Sequence, residues 1–449
     1  MPGLTSTLEI AKNTLLNEQL MIQTATNNIA NADNKYYARQ RVNVVTNPST
    51  STAAGWIGNG ARADAITQIR DQYIDQQLTG SISQQYDYRT RSDQIGIISA
   101  LLGDNGSVGL SSDLGAFWDA WDALSQNPSG LVEKDGVLAA TENLVATIQD
   151  AQSSLTSAVQ GIDGQITDQV AKINDLLQQI GTYNQRITAY EATGQPANDL
   201  RDLRYQALSE LSQYLGISYS EQANGAVTVN LTDGATTVNL VTNQNYGQLQ
   251  YNSTTHLISY TPVGGGTVAP NPNNLSGGSV SGLAYSLKRL LAPAQGGDAD
   301  SYQVTLDTFT SNLITQVNAA YGAAVFTGTS AATIAVAAGF NNAATINGSA
   351  ALTVAGLQDT AIAGLSNNTF SQYLSYFQHQ IGQDQSAATS RADFYESLAS
   401  DLQAQQQSVS GVSIDEETVD LLKFQQVYSA AAKIIQRTDE MLKTIIDMV

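Results

Sequence analysis

Residues 413–449 read SIDEETVDLLKFQQVYSAAAKIIQRTDEMLKTIIDMV. Within them Leu421, Phe424, Tyr428, Ala431, Ile435, Thr438, Leu442, Ile445 and Val449 recur at alternating steps of three and four, the a/d stripe of a heptad helix. Val427, Ile434, Met441 and Met448 run beside that stripe and widen the apolar face. Ser413 and Glu416 have the spacing of a capping box where the helix begins. Asp415, Glu416 and Glu417 place negative charge in its first turn, where the helix dipole favours it. The other end of the chain repeats the pattern. Leu4, Leu8, Ala11, Leu15, Glu18, Ile22, Ala25 and Ile29 alternate in the same way, with Glu18 the one polar interruption. Two long amphipathic helices at opposite ends either pair with each other or pair with neighbouring molecules.

Between the ends the pattern predicts more helix: 63–102, Asp113 to about Ser125, 131–193, 197–215, 283–323 with a break around Pro293 to Gly297, and 367–409. Phe117, Trp118, Trp121 and Leu124 sit at helical spacing as core residues, and Asn127-Pro128-Ser129-Gly130 ends that helix. Ile166, Val170, Ile173, Leu176, Leu177, Ile180, Tyr183 and Ile187 form a sustained stripe. The period changes near Gly216. Residues 226–231 and 236–241 are β-rich runs around Asp233-Gly234, a hairpin signal, and 262–282 is Gly- and Pro-rich. Residues 325–365 are rich in Ala, Thr and Gly, with a short strand expected at Thr333 to Ala337.

The expected fold is therefore mainly α with a β-rich insertion: terminal coiled-coil helices, a discontinuous long-helix bundle and a small β-rich outer module. The expected boundaries are 1–55 with 411–449 for the terminal domain, 56–215, 283–325 and 366–410 for the helical domain, 216–282 for the β-rich module, and 326–365 for a short-strand excursion.

At 449 residues the chain is long enough for about three domains and a sizeable core. It has no cysteine, which excludes disulfides, thiolate metal sites and a cysteine nucleophile. Two histidines, His256 and His379, are too few for a multi-histidine site. Twenty basic residues face forty acidic ones, a net charge of −20, so nucleic acid and anionic membranes are disfavoured partners. Only 13% of residues are charged, about half the usual share, the composition of a polar uncharged surface. No apolar run reaches the length of a membrane span, and no basic region precedes an apolar one at the N-terminus, so if the protein leaves the cell we expect it to do so without a cleaved signal peptide. No nucleotide loop or nucleophile elbow is present. Gly264-Gly265-Gly266, between Pro262 and Pro270, reads as a loop, and Asp298 with Asp300 as a solvated pair. We expect no catalytic, cofactor-binding or metal-binding residue, no enzyme activity and no cofactor.

The segment Asn27-Asn28-Ile29-Ala30-Asn31-Ala32-Asp33-Asn34-Lys35-Tyr36-Tyr37-Ala38-Arg39-Gln40 resembles the N-terminal signature of bacterial flagellar axial proteins. Its ending Arg39-Gln40, and Ser410 through Glu417 with Leu421 to Gln426, Tyr428, Ala430 to Ile435 and Asp439-Glu440-Met441, resemble the hook-associated protein 1 (hook–filament junction) family. Phe117-Trp118, Asn127-Pro128, Asn198 to Asp202 and Asn318 to Gly322 are similar to interior helices of that family. Where the family has Thr-Pro-Gly-Tyr this chain has Asn34-Lys35-Tyr36-Tyr37, with Asn as the residue able to turn at positive φ.

The resemblance implies a structural subunit of the bacterial flagellum that self-assembles between hook and filament and is extracellular. Its implied partners are further copies of itself, the hook protein below, a second junction protein and the filament above, and an export chaperone on the C-terminal helix. The packing residues it implies are Leu4, Leu8, Leu15, Ile22, Asn28, Ile29, Asn31, Arg39 and Gln40 at the N-terminal end. At the C-terminal end they are Leu421, Phe424, Tyr428, Ala431, Ile435, Leu442 and Ile445, which also meet the chaperone. Another axial protein of hook or distal rod, or a secreted adhesin or cell-wall hydrolase, is the alternative.

Overall fold

Apolar stripes as long as those at 166–187 and 421–445 need a partner along their whole length, and the computed structural model supplies one for each. It describes residues 2–52, 55–102, 109–233, 236–264 and 275–448. Gly234 of the expected turn, Gly265, Gly266 and Pro270 of the glycine loop, and Val449 of the heptad stripe lie outside the described residues. The chain opens with α1 (Pro2–Ala30) and closes with α10 (Ile414–Asp447), and these two helices pack on each other. Between them, in order, come α2 (Gln72–Leu101), α3 (Leu110–Gln126), α4 (Leu131–Glu191), α5 (Asn198–Tyr214), α6 (Ser279–Leu290), α7 (Tyr302–Tyr321), the short α8 (Ala351–Ala355) and α9 (Phe370–Ser410).

The helical body is organised around α4, whose 61 residues extend about 90 Å at 1.5 Å per residue. The expected stripe from Ile166 to Ile187 is its buried face, with Tyr183 half-buried against the same core. Helices α3 and α5 lie along α4, while α2 runs beside α9. Phe117, Trp118, Trp121 and Leu124 of α3 are all fully buried. Phe117 and Trp118 meet edge to face with centroids 4.8 Å apart, and Trp121 packs against Tyr321 and Phe340. Aromatic pairs of this kind contribute about 0.5–1.5 kcal/mol beyond the area they bury.

The β structure is more extensive than two strands. A four-stranded antiparallel sheet, in the order β5 (Ile217–Glu221), β6 (Val227–Asp233), β7 (Thr236–Thr242), β8 (Asn245–Tyr246), is followed by the hairpin β9 (Gln248–Asn252) and β10 (Leu257–Thr261). Two asparagines of α4 tie it down by reading backbone. Asn184 donates to the Val227 and Asn243 carbonyls at 2.7 Å and accepts from the Val227 amide, and Asn174 makes the same two-way contact with Leu249. Val229, Leu231, Leu240, Val241 and Ile258 thereby join the apolar core of the helices. Residues 326–365 wrap the aromatic end of the body with β11 (Phe326–Thr327), β12 (Ala335–Val336), α8 and single 3-10 turns, burying Phe326, Ile334, Phe340 and Val354. Of the strand expected at Thr333 to Ala337, only Ala335–Val336 pairs.

The helix expected over 63–102 starts at Gln72. Residues ahead of it form β4 (Ala61–Gln68), which pairs antiparallel with β1 (Gln40–Thr46), and β2 (Thr50–Thr52) with β3 (Gly55–Ile57) continues the ribbon. The boundary expected at 55/56 therefore falls inside β3. Strand pairing across the 47–60 connection overrides the helix-compatible composition of 63–70. Helix α6 begins at Ser279, four residues earlier than expected, because Gly278 turns the chain with φ 79° and donates its N–H to the Ser83 carbonyl at 2.7 Å.

Candidate subunit-packing site

The residues singled out at the two ends converge on one seam. Helices α1 and α10 run antiparallel, since Asn28 near the end of α1 meets Glu417 in the first turn of α10. Ala431 is buried, while Leu421, Phe424, Ile435, Leu442 and Ile445 are half-buried; Tyr428 is exposed at the edge of the seam. On α1, Ala11 and Ala25 are buried, and Leu4, Leu8, Leu15, Ile22 and Ile29 are half-buried. Thr438, the polar a/d position, is buried and donates its hydroxyl to the Ile434 carbonyl at 2.8 Å, so it occupies the seam without an unpaired group.

Asn28 is the polar centre, 1% exposed. Its Nδ2 donates to the Gln40 carbonyl at 2.9 Å and to Glu417 Oε2 at 3.0 Å, and its Oδ1 accepts from the Gln40 amide at 3.0 Å and the Tyr37 hydroxyl at 2.8 Å. One side chain thus joins α1, β1 and α10 with every hydrogen-bonding position used. Arg39 completes the clamp: Nε lies 2.6 Å from Glu417, one terminal nitrogen 2.9 Å from Glu416, and the other 3.9 Å from Asp420. Ser413 caps α10 by accepting from the Glu416 amide. The Glu416 carboxylate turns to Arg39, so the reciprocal half of the expected capping box is replaced by an ion pair. Gln40 reaches across to Asp199 of α5 at 3.1 Å. The Asn31 side chain donates back to the Asn27 carbonyl and side chain, not across to α10. The turn after α1 needs no positive φ; Asn34 Oδ1 accepts from the Tyr36 amide at 3.1 Å and its carbonyl from the Tyr37 amide at 3.0 Å.

Sequence reasoning missed the layer beneath this clamp. Arg70 pairs with Asp202 at 3.1 Å and Asp75 at 3.3 Å, donates to the Tyr36 carbonyl and lies 4.0 Å over the Tyr205 ring. Gln406 of α9 donates to Asp75 at 2.5 Å and to the Tyr205 hydroxyl at 2.8 Å. Ser410 accepts the Arg39 amide at 2.8 Å. Burial pushes the Asp202 carboxyl up to about 7, with Arg70 and the Ala38 amide opposing. The spacing of Asp199 and Asp202, three residues apart on one face of α5, was the available signal. Asp298 and Asp300, read as solvated, are at least partly so, and in addition pair with the buried Arg289 at 3.7 and 3.0 Å. Among the described residues no three His, Asp or Glu side chains gather as a cation site, and no helix is long and apolar enough to cross a membrane.

A long helical body with both chain ends paired outside its core, locked by a buried asparagine and an arginine clamp, defines the class: a structural subunit built around its termini. The family described as the flagellar hook-associated protein FlgK helical domain matches residues 95–335, more than half of the chain, and that described as the flagellar basal body rod FlgEFG protein C-terminal matches 403–448. The chain belongs to the flagellar hook-associated protein 1 family. It is 25% identical to flagellar hook-associated protein 1 of Bacillus subtilis, over 98% of this chain and 97% of that one. It is 30% identical to the protein of that name in Salmonella typhimurium over 59% of this chain, and spans about half (48%) of that relative. The solved flagellar hook junction protein FlgK of Burkholderia pseudomallei overlaps 56% of this chain and 46% of its own, at 21% identity and a TM-score of 0.49.

Proposed function

We propose that this chain is a structural, non-enzymatic subunit of the bacterial flagellum that self-assembles at the hook–filament junction. In this reading the terminal helices α1 and α10 line the tube, and the discontinuous helical domain forms the wall outside it. The β-rich 216–282 and the 326–365 excursion lie outermost. The half-buried and exposed residues of α1 and α10, rather than Asn28 and Ala431, which the seam of one chain already covers, meet neighbouring subunits: hook protein below, a second junction protein and filament above. The C-terminal helix is held by an export chaperone before assembly, and the subunit is extracellular.

The observation that carries the reading is the stripe Val427, Ile434, Met441 and Met448, which lies exposed beside the α1–α10 seam. One chain satisfies only part of the apolar face of α10. A continuous uncovered stripe of this kind marks an interaction surface. The test is deletion of the gene in its host, with electron microscopy of the cells and an assay of flagellin in the medium. Bare hooks with flagellin shed to the medium are expected. Cells lacking hooks would move the subunit to the rod or hook, and normal filaments would overturn a junction role.

A further inference from the structure

The terminal unit, made of α1, β1–β4 and α10, meets the body at a joint that the chain crosses twice, at 69–71 and at 411–413. The two crossings lie side by side. The Arg39 amide donates to the Ser410 carbonyl, and the Ile69 amide to the Arg39 carbonyl, both at 2.8 Å. Among the described residues, the apolar core of the body contains none from the terminal unit. The ties across the joint are mainly polar, and most end on the first turns of α5. Asn198 donates to the Ile66 carbonyl at 2.8 Å, and its own carbonyl accepts from Gln68 at 2.9 Å. Asp199 accepts from Gln40 and Asp202 from Arg70, each at 3.1 Å. Tyr36 adds an edge-on contact with Tyr205, 6.4 Å between centroids.

The joint carries more negative charge than its cation neutralises. Arg70 is shared between Asp202 at 3.1 Å and Asp75 of α2 at 3.3 Å, and Asp199 stands one turn from Asp202 on the same face of α5. The other charged groups nearby are already engaged: Arg204 of α5 with Glu221 of β5 at 3.5 Å, and Glu417 of α10 with Arg39 at 2.6 Å. Burial keeps the Tyr37 hydroxyl protonated, with the charges of Asp202, Asp199 and Glu417 adding to it, and burial with Asp75 does the same for Tyr205. From α9 the site meets the neutral Gln406. Asp202 is 7% exposed, and its Oδ2 has no hydrogen-bond partner. Ionised, that oxygen is a buried charge without a donor, and parting the terminal unit from the body returns it to water. Protonated, the carboxyl has no such charge to solvate. Burial therefore outweighs Arg70 and the Ala38 amide and lifts the carboxyl to about 7, with Asp199 adding to the rise. We propose that Asp202 is a proton-operated lock on this joint: protonated, it holds the terminal unit against the body, and ionised, it lets the joint open while the body stays folded. A lock of this kind goes beyond the junction role and does not depend on it. The closed joint binds one more proton than the open one between the ordinary carboxyl range and the folded value. Opening therefore grows with pH across that interval and levels off above it.

The test is hydrogen exchange on the purified full chain between about pH 5 and 8, each rate divided by the intrinsic rate at the same pH. The Arg39 and Ile69 amides report on the joint. Their protection is expected to fall roughly tenfold per pH unit up to about 7 and then to level, the slope of one proton. They should exchange faster than amides in the middle of α4 at every pH, because the joint opens without the body. Asp202→Asn, which keeps the shape of the uncharged carboxyl, should hold the joint amides at the acid-side protection throughout. Should that variant not fold, Asp199→Asn removes a neighbouring negative charge and should move the levelling point to lower pH. Protection independent of pH in the unsubstituted chain, a slope that survives Asp202→Asn, or a levelling point unmoved by Asp199→Asn overturns the lock. Joint amides that exchange no faster than those of α4 overturn it as well, since the titration would then belong to unfolding of the whole chain.

Discussion

Asn28 is a residue whose value lies in leaving nothing unpaired. Asn28→Ala strips the Gln40 amide and carbonyl, the Tyr37 hydroxyl and Glu417 of a partner at once. Its cost is expected to be about 2–3 kcal/mol, the penalty of orphaned buried polar groups, read as lost hydrogen-exchange protection across α10. Arg39→Ala leaves Glu417 buried without its cation and should cost about 3 kcal/mol by the same readout. Asp202 makes a prediction in pH. Its folded pKa, about 7, stands well above the ordinary carboxyl value near 4, so the folded chain binds the extra proton between those limits. Its contribution to stability is fully present below pH 4 and is lost as pH rises through 7. Asp202→Asn should flatten that part of the melting-temperature profile, measured against pH with the unsubstituted chain alongside. The identities of Asn28, Arg39 and Gln40 stood out in the sequence, whereas Glu417 read as a helix-dipole charge because its partner lies almost four hundred residues away.

At the scale of elements, the helices separate into those that build the body and those that sit on it. Ile173→Ala in the buried face of α4 should cost about 2–5 kcal/mol of body stability, through lost contacts and a cavity that rigid helices cannot close. Ile435→Asp or Leu442→Asp should leave the melting of the body within experimental error, because both side chains face α1 outside the main core. The same variants should abolish incorporation into flagella and chaperone binding, measured by immunoblot of isolated flagella and by co-purification. A sharp fall in the body's melting temperature would show that the terminal pair and the body fold as one unit. The heptad and core stripes were legible because periods of 3.5 and 3.6 concentrate apolar residues on one face. The ribbon at 40–68 was not, since its strands are short and its partner strand is the signal itself.

Across the whole molecule, close backbone approaches decide how the parts meet. Gly278 holds α6 against α2 and the end of α5; a Cβ there would lie 2.3 Å from the Tyr214 backbone, at a φ of 79°. Gly278→Ala should therefore depress expression of folded protein and lower the melting temperature of the entire body, measured by calorimetry, while the exposed Gly339, with open space around it, tolerates alanine. The apolar faces of β6, β7, β9 and β10 close on α4, so loss of that sheet should destabilise the helices rather than release a separate unit.

The sequence by itself determined the helical class, the amphipathic ends, the aromatic core of α3 and the absence of thiol chemistry, because each follows from local period or from composition. It also carried the family signature at both termini. Only the tertiary structure decided that Arg39 clamps Glu417, that Arg70, Asp75, Asp202 and Gln406 form one buried network, and that Asp298 and Asp300 serve Arg289. Those contacts join residues from distant parts of the chain, and no periodicity records a pairing between groups whose proximity is set by how whole helices pack.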